Sequence, residues 1–229
     1  MISSSSYYAD KLSAELLKKC YEIAPPRVRQ YLVAECNHVL SKIEYNDVVL
    51  ELGCGYGRIL QQIAEKAKIV YGIDNSESSI ELGRKLLSDN SNCILKTMDA
   101  VKLDFPDKMF DVVLCMQNGI SAFHVDQKEL IRESIRVTKP GGNILFSSYS
   151  EKFWDHRLEW FRLQSSAGLL GEIDEEKTRD GNIVCKDGFT ATTVSPAQFR
   201  KLVNGIDNID LKIEEVDSSS ILYEIIRNL

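Results

Sequence analysis

The chain has 229 residues, with 28 Lys and Arg against 34 Asp and Glu and a formal net charge of −6. That length suits one α/β domain with an elaboration, and the 44% apolar share excludes a disordered chain. The acidic balance argues against nucleic acid as a partner, and no apolar run nears the roughly 20 residues that a membrane-spanning helix requires.

Leu12, Leu16, Cys20 and Ile23 share one helical face, which predicts a helix over 10–23 capped by Asp10. Pro25-Pro26 ends it, and Val28, Leu32, Cys36, Val39, Leu40 and Ile43 predict a second helix that Pro26 opens. From Val48 the pattern changes to short apolar runs: VVLEL (48–52), IVYGI (69–73), CILKTM (93–98), FDVVLCM (110–116) and NILFSSY (143–149). Each reads as a buried parallel strand. Between them lie helical patterns through Ile59–Ala67, Ile80–Leu87 and the segment after Asp126, where Glu129 completes a capping-box spacing. Lys139-Pro140-Gly141-Gly142 is a strong stop.

Strand and helix alternating five times predict an α/β fold with a doubly wound, mostly parallel sheet and helices on both faces. The stretch 150–194 departs from that rhythm and reads as an inserted aromatic helix plus a short hairpin. Ser195-Pro196 opens a last helix, and LKIEEV (211–216) and ILYEII (221–226) form a closing strand pair that must run antiparallel. One domain is expected overall: an N-terminal helical extension (1–45), a core (46–149), the insertion (150–194) and the closing helix and strands (195–229).

The six cysteines form no C-x-x-C pair, and several sit in apolar runs, where a reduced thiol behaves as a small hydrophobe. The first ten residues carry neither a basic residue nor the apolar core of a secretory signal, so a reducing, cytoplasmic setting is expected. No histidine has a neighbour at metal-ligand spacing, so no metal is expected.

The sharpest chemical signal is Glu51-Leu-Gly53-Cys-Gly55-Tyr-Gly57, placed directly between a strand and a helix. Glycines there let the backbone turn sharply and approach a ligand. A dinucleotide fingerprint would need a glycine where Arg58 stands, and no Gly-Lys-Ser/Thr phosphate loop follows. Glu51 would repel a phosphate but suit an ammonium. Asp74, closing the second strand, can accept both hydroxyls of a ribose, and Asp99, closing the third, can take an exocyclic amine. The ligand implied has an adenine, a free ribose and an amino-acid tail.

These residues, with GIDNS (72–76), MDA (98–100), FDVVLCMQN (110–118) and RVTKPGG (136–142), make the chain resemble the class I S-adenosylmethionine-dependent methyltransferases over about Val48–Ser148. The resemblance implies a Rossmann-like core and sheet order 3-2-1-4-5-7-6 with an antiparallel last strand. It implies S-adenosylmethionine as cofactor and S-adenosylhomocysteine as product. It places the cofactor on Glu51, Gly53, Cys54, Gly55, Gly57, Asp74, Asn75, Asp99, Ala100 and Gln117, with Tyr8 folding over its methionine end.

After the fourth strand stands Gln117-Asn118-Gly119-Ile120, without the proline-rich tetrad of base amino-methylating relatives, so a small-molecule acceptor is expected. His124, at the rim, is the candidate general base. Trp154, Arg157 and Trp160, in an insertion that leaves the sheet at its ligand-binding edge, are the candidate acceptor residues. The competing readings are a cofactor-binding regulatory or partner-dependent subunit of the same fold and, already weakened by Arg58, an NAD-dependent oxidoreductase. Nothing in the sequence selects between a monomer and a homodimer.

Overall fold

The computed structural model describes residue 7 and residues 11–228. The five apolar runs become β1 (Val48–Leu52), β2 (Ile69–Asp74), β3 (Cys93–Thr97), β4 (Phe110–Cys115) and β5 (Thr138–Tyr149), all mutually parallel where they pair. A small hairpin, β6 (Ile183–Val184) with β7 (Thr190–Ala191), stands apart. The closing strands are β8 (Ile209–Val216) and β9 (Ser220–Arg227), and β9 runs antiparallel to both β5 and β8. The main sheet therefore has the order β3-β2-β1-β4-β5-β9-β8. Hairpin aside, this is the expected 3-2-1-4-5-7-6. Strand order reverses between β1 and β4, and there the connections diverge to opposite faces and open a crevice at the strands' carboxyl ends.

Among the described residues the α-helices are α1 (Ala14–Glu22), α2 (Pro26–Ser41), α3 (Leu60–Ala64), α4 (Glu77–Leu86), α5 (Gly119–Ala122), α6 (Gln127–Val137), α7 (Trp154–Ser166) and α8 (Pro196–Val203). Alternation along β1 sends Val49 to one face, with Val39, Leu60, Ile63 and Ile80 of α2, α3 and α4. It sends Leu50 to the other, with Leu130 and Ile131 of α6 and Phe199 of α8.

Several local expectations need correction. The helix after the glycine loop is only the five residues of α3, because residues 53–59 remain in turns. Helix α1 starts at Ala14 rather than residue 10, and Asp10 lies outside the described residues. Asp126 does cap α6, accepting from the Lys128 and Glu129 amides. Glu129, however, turns to Arg132 instead of closing a capping box. The full capping box is at Ser195–Gln198. β5 begins at Thr138, ahead of the expected Asn143, and its pairing with β4 shifts register between Phe110 and Val112. The Pro-Gly-Gly segment loops out there, and Lys139 Nζ binds both Asp111 oxygens at 2.8 Å.

The N-terminal helices and the insertion pack on each other above the carboxyl edge. Leu12 and Cys20 share a buried cluster with Phe161, Ile183 and Phe189, while Val28 and Tyr31 share another with Phe153 and Trp160. The indole N–H of Trp160 donates to the Cys20 carbonyl at 2.9 Å. On its other side α1 is pinned to α4, where the Ala14 amide donates to Ser79 Oγ at 2.9 Å.

Candidate functional site

The loop after β1 is held in a shape that only glycine adopts cheaply. Gly53 and Gly55 have φ of +69° and +55°, and a Cβ on Gly53 would stand 2.4 Å from the Phe123 ring. A Cβ on Gly55 would meet Leu17 of α1 at 2.9 Å, so α1 lies directly on the loop. The Gly55 amide donates to Asp74 Oδ2 and the Ser76 amide to Asp74 Oδ1, each at 2.9 Å. Asp74 thus ties the end of β2 to the glycine loop, and each of its oxygens retains a further lone pair. Burial raises its pKa, against which those amide bonds act.

Loop, strand ends, α1 and α7 enclose a cavity of about 190 Å³. Of the sequence-predicted residues, Glu51, Gly53, Cys54, Gly55, Asp74, Asn75, Asp99, Ala100, Gln117 and Trp160 line it together. Met98, Phe123 and Val125 add apolar walls beside Asp99 and Ala100. Sequence reasoning passed over them because loop hydrophobes carry no periodicity.

Three ionisable side chains lie at the centre, buried Glu51 and Glu35 and half-buried Arg58. Glu51 is 5% exposed, and burial pushes its pKa up to about 8 despite the opposing pull of Arg58. Its Oε2 is buried without a hydrogen-bond partner, and so are Nε and Nη2 of Arg58. The Arg58 guanidinium lies over the Tyr21 ring, 4.8 Å from its centre. Glu35, on α2, accepts from the Gln117 amide at 3.2 Å and from Ser220 Oγ at 2.9 Å. Burial raises its pKa as well. Gln117 and Asn118 both take left-handed backbone, at φ +52° and +62°. Tyr21 OH donates to Gln117 Oε1 at 2.5 Å. The turn after β4 is therefore clamped from α2 below and α1 above. Glu35 was missed in the sequence, although a carboxylate inside the stripe Leu32–Cys36–Val39 was the available signal. Arg58 was read only as a break in a fingerprint.

Other expected site residues lie elsewhere. Gly57 is in the turn, its amide donating to the Cys54 carbonyl at 2.9 Å, but it does not reach the cavity wall. His124 also stands off the wall, on left-handed backbone (φ +52°). Burial lowers its pKa. Trp154 packs against the cluster formed by Leu12, Phe161 and Phe189. Arg157 is 1% exposed and donates to the Gly181 and Ala191 carbonyls at 2.8 and 3.1 Å, with its guanidinium 4.6 Å from the Tyr149 ring centre. It staples the inserted hairpin to α7 and does not line the cavity. Tyr8 lies outside the described residues. Among the described residues no three His, Cys, Asp or Glu side chains gather to hold a metal ion, and no helix is long and apolar enough to cross a membrane.

Residues 49–142 match the family described as "Methyltransferase domain". A ubiquinone biosynthesis O-methyltransferase of Vibrio vulnificus is 28% identical over 176 residues, covering 75% of this chain and 68% of the relative. The corresponding protein of Proteus mirabilis is 27% identical over 138 residues, covering 58% of this chain and 53% of the relative. That of Coxiella burnetii is 31% identical over 107 residues, covering 46% and 44%. The matches with these last two thus span about half the length of each relative. Among solved structures, a DhpI complex with S-adenosylhomocysteine superposes with a TM-score of 0.65 at 19% identity, covering 99% of this chain and 96% of that one. A SAM-dependent methyltransferase from Aquifex aeolicus gives 0.62 at 15% identity, covering 91% and 97%. The structural likenesses establish the fold. The domain match over residues 49–142 and the curated relatives agree with that fold, and both point to the S-adenosylmethionine-dependent methyltransferases.

Proposed function

We propose that this protein transfers a methyl group from S-adenosylmethionine to a hydroxyl of a small-molecule acceptor. S-adenosylmethionine is the cofactor of the family, and one observation carries the fit. Two buried polar edges of opposite kind, the Glu51 carboxyl at Oε2 and the Arg58 guanidinium at Nε and Nη2, belong to residues lining one cavity and lack hydrogen-bond partners. An amino-acid tail, with one ammonium and one carboxylate, supplies a partner to each. A buried polar group left without one is costly, and more so once it is charged.

On this reading Glu51 and Gln117 face the ammonium, and the Arg58 fork takes the carboxylate. The backbone of Gly53, Cys54 and Gly55 passes close to the tail, and Gly57 holds the turn. Asp74 and Asn75 receive the ribose hydroxyls. The Asp99 carboxylate takes the adenine amine beside the Ala100 backbone. When bound, the cofactor supplies an electrophilic methyl group, so the protein's own work is to place the acceptor in line and exclude water. The cap formed by α1 and α7 does both.

The relatives' printed name, ubiquinone biosynthesis O-methyltransferase, supports a small molecule and an oxygen as acceptor. The net charge of −6 argues against nucleic acid. Calorimetry with S-adenosylhomocysteine tests the cofactor half. One equivalent should bind, and a hundredfold excess over Kd should stabilise the fold by about 2.7 kcal/mol. No binding at millimolar ligand by folded protein refutes it. Binding without methyl transfer to any hydroxylated acceptor would leave the regulatory-subunit reading in its place.

A further inference from the structure

On the reading above, the cofactor occupies the side of the cavity formed by the β1, β2 and β3 ends. Every charged lining side chain comes from elements on that side, namely Glu51, Arg58, Asp74 and Asp99, with the Arg58 guanidinium reaching across to the Tyr21 ring of α1. The opposite side is contributed by α1, the end of β5 and α7, and its described lining carries no charge. We propose that this second side is the acceptor subsite, that Gln164 of α7 is its polar anchor, and that it selects an uncharged, flat ring compound bearing a hydroxyl or carbonyl group.

Helical spacing brings Trp160, Phe161 and Gln164 to the buried side of α7, and all three line the cavity. Gln164 is only 4% exposed, yet its side-chain amide makes no hydrogen bond within the described residues. The same side of the cavity is lined by Tyr149, Trp160, Phe161, Cys20 of α1 and Leu12 just ahead of it. The Gln164 amide opens only into this apolar-walled cavity, so its partner must come from what fills the cavity. An amide offers two N–H donors and an oxygen with two acceptor lone pairs, and a hydroxyl can answer both kinds.

The absence of charge has a local cause. The one cation on the buried side of α7, Arg157, is taken up by the Gly181 and Ala191 carbonyls and covered by the rings of Tyr149 and Phe161. An anionic or cationic acceptor would therefore lose its hydration without gaining a counter-ion. Trp160 and Phe161 meet edge to face, with centroids 6.2 Å apart, and with Tyr149 they offer ring surfaces to a planar guest.

The test uses the full chain, labelled S-adenosylmethionine and three flat probes of one size class: catechol, 3,4-dihydroxybenzoate as the anion and dopamine as the cation. Catechol should exceed both charged probes at least tenfold in kcat/KM. Gln164→Leu should lower kcat/KM for catechol about tenfold, mainly through KM, while the Kd of S-adenosylhomocysteine stays within twofold. Gln164→Glu should move the preference toward dopamine. Failure of the folded protein to bind S-adenosylhomocysteine would refute the cofactor reading and this inference with it. Intact cofactor binding with a charged probe preferred, with a Gln164→Leu variant of unaltered KM, or with no transfer to any of the three overturns the subsite alone.

Discussion

Binding of an ammonium-bearing ligand should release a proton from Glu51. In the ligand-free protein burial holds this carboxyl near a pKa of about 8, so at neutral pH it is mostly protonated. An ammonium placed against it favours the charged form and draws the pKa down. Below pH 8, each unit of pH then changes the ligand's apparent affinity by close to the limiting factor of ten, about 1.4 kcal/mol. Between pH 6 and pH 7 the Kd of S-adenosylhomocysteine should fall roughly tenfold. The comparison belongs in that interval because the ligand's own α-amino group, with an ordinary pKa of about 7.7–8.0, stays cationic there.

Calorimetry in two buffers of different ionisation enthalpy reads the same event as about one proton released per ligand at pH 6.5. Glu51→Gln keeps the shape and should abolish both the slope and the proton. The ligand-free stability carries the opposite signature. A carboxyl whose folded pKa lies above its unfolded value contributes stability that is complete below about pH 4.5 and lost as pH rises through about 8, at up to about 1.4 kcal/mol per unit. Denaturant midpoints should therefore fall across that window in the native chain and less in Glu51→Gln. An affinity that does not change between pH 6 and 7, with no proton released, would refute the placement of Glu51 against the ammonium.

Arg58→Ala should weaken S-adenosylhomocysteine by about 1.5–3 kcal/mol, the range for a hydrogen-bonded charge, whereas an unchanged calorimetric Kd would remove the carboxylate from that fork. Glu35→Ala leaves the Gln117 amide and Ser220 hydroxyl without their acceptor; it should cost about 1–3 kcal/mol in urea unfolding and also weaken the cofactor, because Gln117 loses its clamp. Arg157→Met should lower stability by about 1–3 kcal/mol through the two orphaned carbonyls while leaving cofactor affinity intact, and a lost affinity in folded protein would return Arg157 to the cavity. Trp154→Ala should cost about 3 kcal/mol by opening the cap's core, with Kd for S-adenosylhomocysteine unaltered.

Much of the molecule is legible along the chain because its information is local. The alternation of short apolar runs with helical spacing implies the parallel sheet, and the position of ELGCGYG between a strand and a helix implies a ligand loop. Asp74 and Asp99 follow because a residue closing a parallel strand faces the carboxyl edge, where such sheets bind ligands. The tertiary structure alone decides which far-apart segments complete the site. Trp160 and Cys20 are bonded across 140 residues of sequence, and that packing makes one cap of two segments that read as separate elaborations. It also turns Glu35, an interruption in a helical stripe, into the acceptor that holds the turn after β4. Arg157 and Trp154, aromatic-rich helix residues that look fit for a pocket, are drawn instead into the cap's own core, and Gln164 inherits the wall. Periodicity tells which face of a helix is buried, but whether that face meets a neighbour or a cavity depends on how elements distant in the chain close-pack.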